Sequence, residues 1–575
     1  MRYSFILFFV VSFLSSQAQH TTTLFEQSGG TQTPIYFQII NWWQKLDAAS
    51  SIVSMQAMDT TDSGFPLHLI LVSDDKDFNI ASVKAKNKSM LFINNGIHPG
   101  EPDGIDASML LVRDMVEGKY KLPNNVVLAI IPVYNIGGCL NRSKNYRVDQ
   151  NGPAAFGFRG NAENLDLNRD FIKCDSKNAL AFTHIFHLLD PDIQIDNHVS
   201  NGADYQHIIT LLSSQRNKLG GILGEYLNKT MEPAIYNMMK AKGYDLVPYV
   251  NHFGDNTPDV GWAEFWDSPR YSSGYAALWN TFAFMPETHM LKPYKQRVEA
   301  ILALMKSFIE FTAANSAAIT QLRQEAKQKM IIQTQFPLHW KVDSTQPSQI
   351  VFKGYEADKR RSSVSGLQVL YYDRNKPFTK AIPFYNEYKA DVFIDKPKAY
   401  IIPQGWWKVI DRLKANKVIM TPLAHDTTIN VEWYKIEDYK AAPRPFEGHH
   451  FNTNVITSTH TDTIHFRKGD YYIPLNQTAN RFLVETLEPT ADDSYFTWNF
   501  FDAILGQKEY FSDYVFEETA ANFLQSHPAI KAALEEKKKM DTAFANNAEA
   551  QLDFIFRHSP YMEPDYLRYP VFRAK

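Results

Sequence analysis

His98 and Glu101 stand three residues apart in the segment L-F-I-N-N-G-I-H-P-G-E-P-D-G-I-D-A-S-M-L, residues 91–110. At that spacing a turn can fold an imidazole nitrogen and a carboxylate oxygen toward one cation. H-E-x-x-H sites use a continuous helix for the same purpose, but Pro99 and Gly100 specify a loop here. Alone the pair is weak, because H-x-x-E arises about once by chance in a chain of this length and composition. The bland alternative is a surface turn carrying two polar residues.

The elements that must position these residues can be read around them. The apolar run Met90 to Ile93 predicts a buried strand, and from Pro102 the residues Ile105, Met109, Leu110 and Val112 recur at helical spacing. Residues 36–58 predict an amphipathic helix followed by a strand. Further strands are expected at Leu67 to Val72, Val126 to Val133, Asp192 to Asp196 and Thr281 to Met285. Helices are expected at Ser176 to Leu189, Lys218 to Ala241 and Pro293 to Lys327, the last as one helix or two. Strands alternating with helices indicate an α/β sheet, whose ligands sit outside the carboxyl ends of its strands. His98, His198 and Glu287 all fall just after predicted strand ends, so the topology can bring them together. The polar, Gly- and Asn-rich stretch from Asn135 to Asn168 is long for a loop, and loops of that length in compact domains are usually functional.

Beyond about Ile332 the texture changes to short strands separated by turn signals. They are expected at Gln349 to Tyr355, Leu367 to Tyr372, Ala399 to Ile402, Ile429 to Ile436, Asp462 to Phe466 and Arg481 to Leu487, with one helix at Trp406 to Ala415. Helical patterns return at Phe516 to Gln525 and Pro528 to Met540, before a Tyr/Pro-rich tail. The expected organisation is therefore 1–18 signal peptide, 19–328 catalytic α/β domain, 329–490 β-rich accessory domain and 491–575 a mixed, helical region.

Composition limits the function. A net charge of −4 and the lack of any basic run give no electrostatic case for a nucleic acid partner. Arg2, the apolar stretch Phe5 to Leu14 and the small-x-small Ser16-Gln17-Ala18 form a signal peptide pattern. The apolar stretch is too short to span a bilayer, so no transmembrane anchor is expected after signal cleavage, and the mature chain is expected to be secreted or periplasmic. Two cysteines, Cys139 and Cys174, allow one disulfide but neither a disulfide scaffold nor a Cys-rich metal site.

Four motifs, H-P-G-E at 98–101, N-L-D-L-N-R-D-F at 164–171, D-N-H at 196–198 and P-E-T-H at 286–289, occur in the order of the zinc carboxypeptidases. Over roughly residues 35–315 the chain resembles that family, the carboxypeptidase A-like metallopeptidases. The resemblance implies a mixed, mostly parallel sheet flanked by helices and one zinc ion per chain held by His98, Glu101 and His198. Two His and one Glu leave tetrahedral zinc one open position, as in catalytic rather than structural sites. Glu287 is then the candidate general base. Asn168 and Arg169 match the pair that grips a substrate's free C-terminal carboxylate, for which the planar guanidinium fork is suited. Asp166 matches the acid that orients the first zinc histidine. Arg159 is the candidate oxyanion arginine, with Arg142 and Arg147 competing. The family's mobile tyrosine falls to Tyr271, with Tyr275 as the alternative. The expected activity is hydrolysis of a C-terminal peptide bond in a peptide or peptide-like substrate with a free carboxylate. A zinc-dependent deacylase or cell-wall peptide amidase, and a non-catalytic binding protein on the same fold, are the competing functions.

Overall fold

In the computed structural model, residues 21–575 are described, except 253 and 255; the expected signal peptide lies outside the described residues. The central sheet is built from β1 (Val53–Thr60), β2 (Pro66–Val72), β3 (Ser89–Asn94), β4 (Val126–Ile131), β5 (Ile193–Asp196), β6 (His198–Ser200), β7 (Ile209–Ser213) and β8 (Phe282–His289). Its order is β1-β2-β4-β3-β5-β8-β6, with β7 also pairing β8. The inner pairs β4–β3, β3–β5, β5–β8 and β8–β6 are parallel, while β1, β2 and β7 join antiparallel. Every residue of β3, β4 and β5 is buried. Strands covered on both faces bury every side chain, which is why the middle of β3 and all of β4 read as apolar runs, while β5 also buries Gln194 and Asp196.

The helices α1 (Tyr36–Ala49), α2 (Asp103–Val116), α3 (Lys177–Leu189), α4 (Glu232–Ala241), α5 (Ser272–Leu278) and α6 (Tyr294–Ile332) cover the two faces. Side chains alternate across β3, so Leu91 and Ile93 pack with Leu304 and Phe308 of α6, while Met90 and Phe92 join Phe182 of α3 and Tyr275 of α5. The expected helix from Lys218 to Ala241 starts later. A turn at Arg216–Leu219 is followed by Gly220 and Gly221, both at positive φ. The chain is then helical from Gly221 to Ala241 through one widened turn at Leu227–Met231, just before Pro233. Glycine tolerates positive φ, and proline supplies no amide hydrogen to the preceding turn, so both departures follow from the residues present. The Pro293 to Lys327 pattern is one helix, α6.

Past α6 the chain turns β-rich, as expected, with β9 (Gln335–Val342), β10 (Ser348–Arg361), β11 (Gln368–Tyr385), β12 (Tyr388–Asp395), β13 (Ala399–Ile402), β14 (Thr427–Ala441), β15 (Asn452–Phe466), β16 (Tyr471–Pro474) and β17 (Phe572–Ala574). β10 and β11 form a long antiparallel hairpin, as do β14 and β15. α7 (Trp407–Ala415) falls where the pattern places it, but the expected strand Arg481 to Leu487 is a helix, α8 (Asn480–Leu487). Arg481 Nε donates to Glu485 Oε1 at 2.9 Å one turn later, and the whole segment is buried, so the apolar run carries no outward face to reveal its period. Near the C-terminus α9 (Asp513–Ser526), α10 (Pro528–Met540) and α11 (Ala548–Arg557) close around a small core of their own.

The core on the α3/α5 side of the central sheet does not stop at residue 328. Phe182, Phe186 and Tyr275 are continuous with Met330, Phe336, Tyr400, Phe482, Tyr495 and Trp498, and Trp279 packs on Phe482 with ring centroids 5.1 Å apart. Cys139 and Cys174 are buried free thiols. Among the described residues no helix is long and apolar enough to cross a membrane.

Candidate active site

β3 ends at Asn94 and α2 begins at Asp103, with His98 and Glu101 in the intervening turn, closed by the Glu101 N–H donating to His98 O at 2.8 Å. The start of α2 lies directly on the strand ends. A Cβ on Gly104 would meet Asn197 Cβ and Asn95 Oδ1 at 2.4 Å, so only glycine allows that approach. His198 opens β6, next to β8, where it pairs in register with Glu287. The Val199 N–H donates to Glu101 Oε2 at 2.9 Å and fixes that carboxylate between the two histidines.

One ligand atom from each of His98, Glu101 and His198 lies within 4.8 Å of the others, and all three residues are buried. Nδ1 of His98 is 3.3 Å from Glu101 Oε1, and Nδ1 of His198 is 3.1 Å from Glu101 Oε2. The opposite nitrogens face carboxylates: His98 Nε2 is 2.9 Å from Asp166 Oδ1, and His198 Nε2 is 3.2 Å from Asp196 Oδ2. Each imidazole thus lies between two carboxylates; with a cation at the shared centre, the Nε2 protons go to Asp166 and Asp196 and each Nδ1 lone pair is left for the cation. Buried His98 Nδ1 has no hydrogen-bond partner, a costly arrangement for a polar atom unless a cation takes the lone pair. The donor set therefore fits zinc, with a fourth position open.

The electrostatics are strongly coupled. Burial alone would raise the Glu101 carboxyl, but Arg147 and His98 outweigh it and hold the group well below its ordinary range. Burial likewise opposes charge on His198, yet Asp196 and Glu101 carry it well above the usual imidazole value. Glu287, 8% exposed, is pushed up to about 8 by burial, with His198 opposing and Glu101 adding to the rise.

Asp166 links His98 to the turn that carries Asn168 and Arg169. Its Oδ1 also accepts the Asn168 N–H at 2.9 Å, starting the turn Leu167–Arg169, and its Oδ2 takes Arg159 Nε and Nη2 at 3.0 and 2.9 Å. Arg169 Nη1 lies 3.8 Å from the same oxygen, and its guanidinium sits 4.5 Å above the Tyr271 ring. The Asn168 side-chain oxygen is buried without a partner. Asn168, Arg169 and Tyr271 thus gather on one wall, and Asp166 joins that wall to His98.

The competing arginines separate. Arg147 Nη1 donates to Glu101 Oε1 at 2.7 Å, whereas Arg159 Nη1 is 3.8 Å from that atom with its side chain 45% exposed. Arg142 instead donates to the carbonyls of Thr33 and Pro34. Tyr275 is fully buried and donates to Asn416 Oδ1 at 2.7 Å. Two residues join the site that the sequence reading did not single out. Asp196 carries a signal, since it lies two residues before His198 in D-N-H, as Asp166 lies two before Asn168. Tyr249 carries none. Burial raises its phenol, with Glu287 and Glu101 acting in the same sense, and its ring meets Phe265, which packs edge-on against Tyr271.

Residues 39–191 match the model of the zinc carboxypeptidase family. That span holds His98, Glu101, Asp166, Asn168 and Arg169; His198 and Glu287 lie beyond it. Among curated proteins the chain is similar to Carboxypeptidase 2 of Trichophyton tonsurans, 20% identical over 428 residues that cover 72% of this chain and 74% of that protein. It is similar to Carboxypeptidase 2 of Trichophyton rubrum at 19% over 450 residues, covering 75% and 77%. Among solved structures it is similar to carboxypeptidase A from Helicoverpa armigera, with a TM-score of 0.38 and 14% identity over 49% of this chain and 74% of that one. A metallo-carboxypeptidase from Burkholderia cenocepacia gives 0.35 and 16% over 49% and 70%.

Proposed function

We propose that this chain, residues 39–191 of which match the zinc carboxypeptidase family model, is an exported enzyme that hydrolyses the C-terminal peptide bond of peptide or peptide-like substrates with a free carboxylate. The supporting observation is the pairing of two features: the buried, unpartnered His98 Nδ1 facing Glu101 beside His198, and the Asn168–Arg169 turn tied to the same centre through Asp166. One zinc ion per chain, held by His98, Glu101 and His198, would supply a Lewis acid that polarises the scissile carbonyl and acidifies water.

The chain's own residues perform the other steps. Asn168 and Arg169 bind the substrate's terminal carboxylate through N–H donors, which orients the scissile amide over the metal ligands. The Tyr271 ring, against the Arg169 guanidinium, closes that wall. Glu287, paired with His198 across the sheet, takes a proton from the attacking water and returns it to the leaving nitrogen. Arg159, half exposed, stabilises negative charge developing on the carbonyl oxygen, while Arg147 is engaged with Glu101. Asp166 and Asp196 keep both histidines in the tautomer that presents Nδ1. The signal peptide pattern at residues 1–18 assigns the enzyme to the periplasm or the exterior.

The test is kcat/KM on a peptide with a free C-terminal acid and on the same peptide as its amide. The free acid is expected to be cleaved and the amide to be a poor substrate. Equal cleavage of both would replace this reading with that of an amidase or deacylase.

A further inference from the structure

We infer that Glu447, far along the chain from the central sheet, is a positioning residue for the metal and carboxylate sites, with Asp493 anchoring the Tyr271 side of the same wall; this rests on the reading of Asn168, Arg169 and Tyr271 given above.

Glu447 sits at the tip of the loop joining β14 and β15. Phe446 and His449 exchange backbone hydrogen bonds at 2.7 and 3.0 Å, which makes Glu447-Gly448 the two central residues of a tight hairpin turn. Both have positive φ, 50° and 83°. Such turns favour Asn-Gly or Asp-Gly, because a long side chain at the first position is strained there. The strained residue makes a specific contact: Glu447 Oε2 accepts the Asp166 N–H at 2.7 Å. A Cβ on Gly448 would lie 3.9 Å from Leu165, and His449 Nε2 meets Asp175 Oδ2 at 2.7 Å. Backbone strain retained at a contact with a functional segment points to a role for that contact.

Asp166 is where that contact matters. Its side chain serves His98 and Arg159, and its turn displays Asn168 and Arg169. Moving its backbone would move all four. The Tyr271 side of that wall is tied in parallel fashion. Arg270, next to Tyr271, donates its N–H and Nε to Asp493 Oδ2 at 3.0 and 3.2 Å, and Nη2 lies 2.8 Å from Oδ1 of that buried carboxylate. Its guanidinium lies over Phe451 and Trp498, and Phe446 stacks on the same Trp498. One aromatic platform from the later part of the chain therefore supports both sides of that wall.

Two full-length variants test Glu447. Glu447→Asp suits the turn better but retracts the carboxylate by one methylene. Glu447→Gln keeps an acceptor oxygen at full reach. The aspartate variant is expected to keep or raise Tm, yet to raise the zinc dissociation constant, read by chelator competition, by about tenfold. Its kcat/KM on a free-acid peptide should fall about tenfold. The glutamine variant should stay within about twofold of the parent in both. An aspartate variant that matches the parent in zinc affinity and KM overturns the inference, as does a glutamine variant that loses as much as the aspartate one. Chelator competition needs no turnover, so it judges Glu447 even if the parent proves not to be a carboxypeptidase.

Discussion

His198 Nε2 lies 3.2 Å from Oδ2 of Asp196, the residue two places earlier, and Asp196 in turn accepts from Ser272 Oγ at 2.6 Å. The pair repeats, on the second histidine, what Asp166 does for the first. Asn at 196 keeps the shape but can present an N–H where an acceptor is needed, favouring the wrong tautomer. Asp196→Asn is expected to weaken zinc binding by about 10–100-fold. Ser272→Ala, which removes only a bond to Asp196, should cost less. Metal content under chelator competition checks both.

Glu287→Gln should retain zinc and substrate affinity while kcat falls by about 10²–10⁴-fold, the usual worth of a positioned general base. Single-turnover kinetics with the zinc content measured alongside separate this from metal loss. Near-normal turnover would move the proton transfer to another residue.

Arg169→Ala should cost about 2–5 kcal/mol in transition-state stabilisation on a free-acid peptide, since it leaves a desolvated carboxylate without its partner. On the matched amide, already a poor substrate, the change should be small. Equal losses on acid and amide would show that the guanidinium does not read the terminus.

His207 gives a pH dependence outside the metal site. Burial is the main cause of its low value, about 4, opposed by its bond to the Asp245 carbonyl, with Lys353 and Lys292 adding to the depression. Nδ1 donates to Asp245 O at 2.9 Å, and Nε2 accepts the Lys353 N–H at 3.1 Å, which clips the β10–β11 hairpin to the catalytic domain. Unfolded, the imidazole takes up its proton near pH 6.5. The unfolded chain thus binds more protons between about pH 6.5 and 4, so stability present at neutral pH is lost as pH falls through that window. The full loss from this group is about 3 kcal/mol by the size of the shift. His187, held down to about 4 chiefly by burial, adds in the same direction. Thermal unfolding at pH 7 and 4.5 should show a smaller drop for His207→Gln than for the parent.

What the sequence makes legible follows from burial. Strands buried on both faces, such as β3 and β4, show as apolar runs, and the end of β3 locates His98; His198 opens β6 one residue past β5, and Glu287 lies inside β8, which runs on beyond the expected strand end at Met285. α8 is not legible because burial on every side erases its helical period. The arginines between Asn135 and Asn168 are not legible either, since that segment is shaped by local side-chain bonds rather than by periodic packing. Asn135 Nδ2 donates to Ile97 O and Arg159 O, and Asn161 Oδ1 accepts from the backbones of Glu163 and Leu165. The role of Glu447 needs a contact with Asp166 across 281 positions, which no local pattern encodes.

The apolar core that runs unbroken from Phe182 and Tyr275 to Phe482 and Trp498 has a consequence for cooperativity. A chain stopped after α6 would bare a large hydrophobic face of the central sheet, and exposed patches of that kind drive aggregation. The sheet holding the histidines and the later strands should therefore melt in one calorimetric transition, and the hydrolytic half should not be separable by limited proteolysis into a soluble fragment.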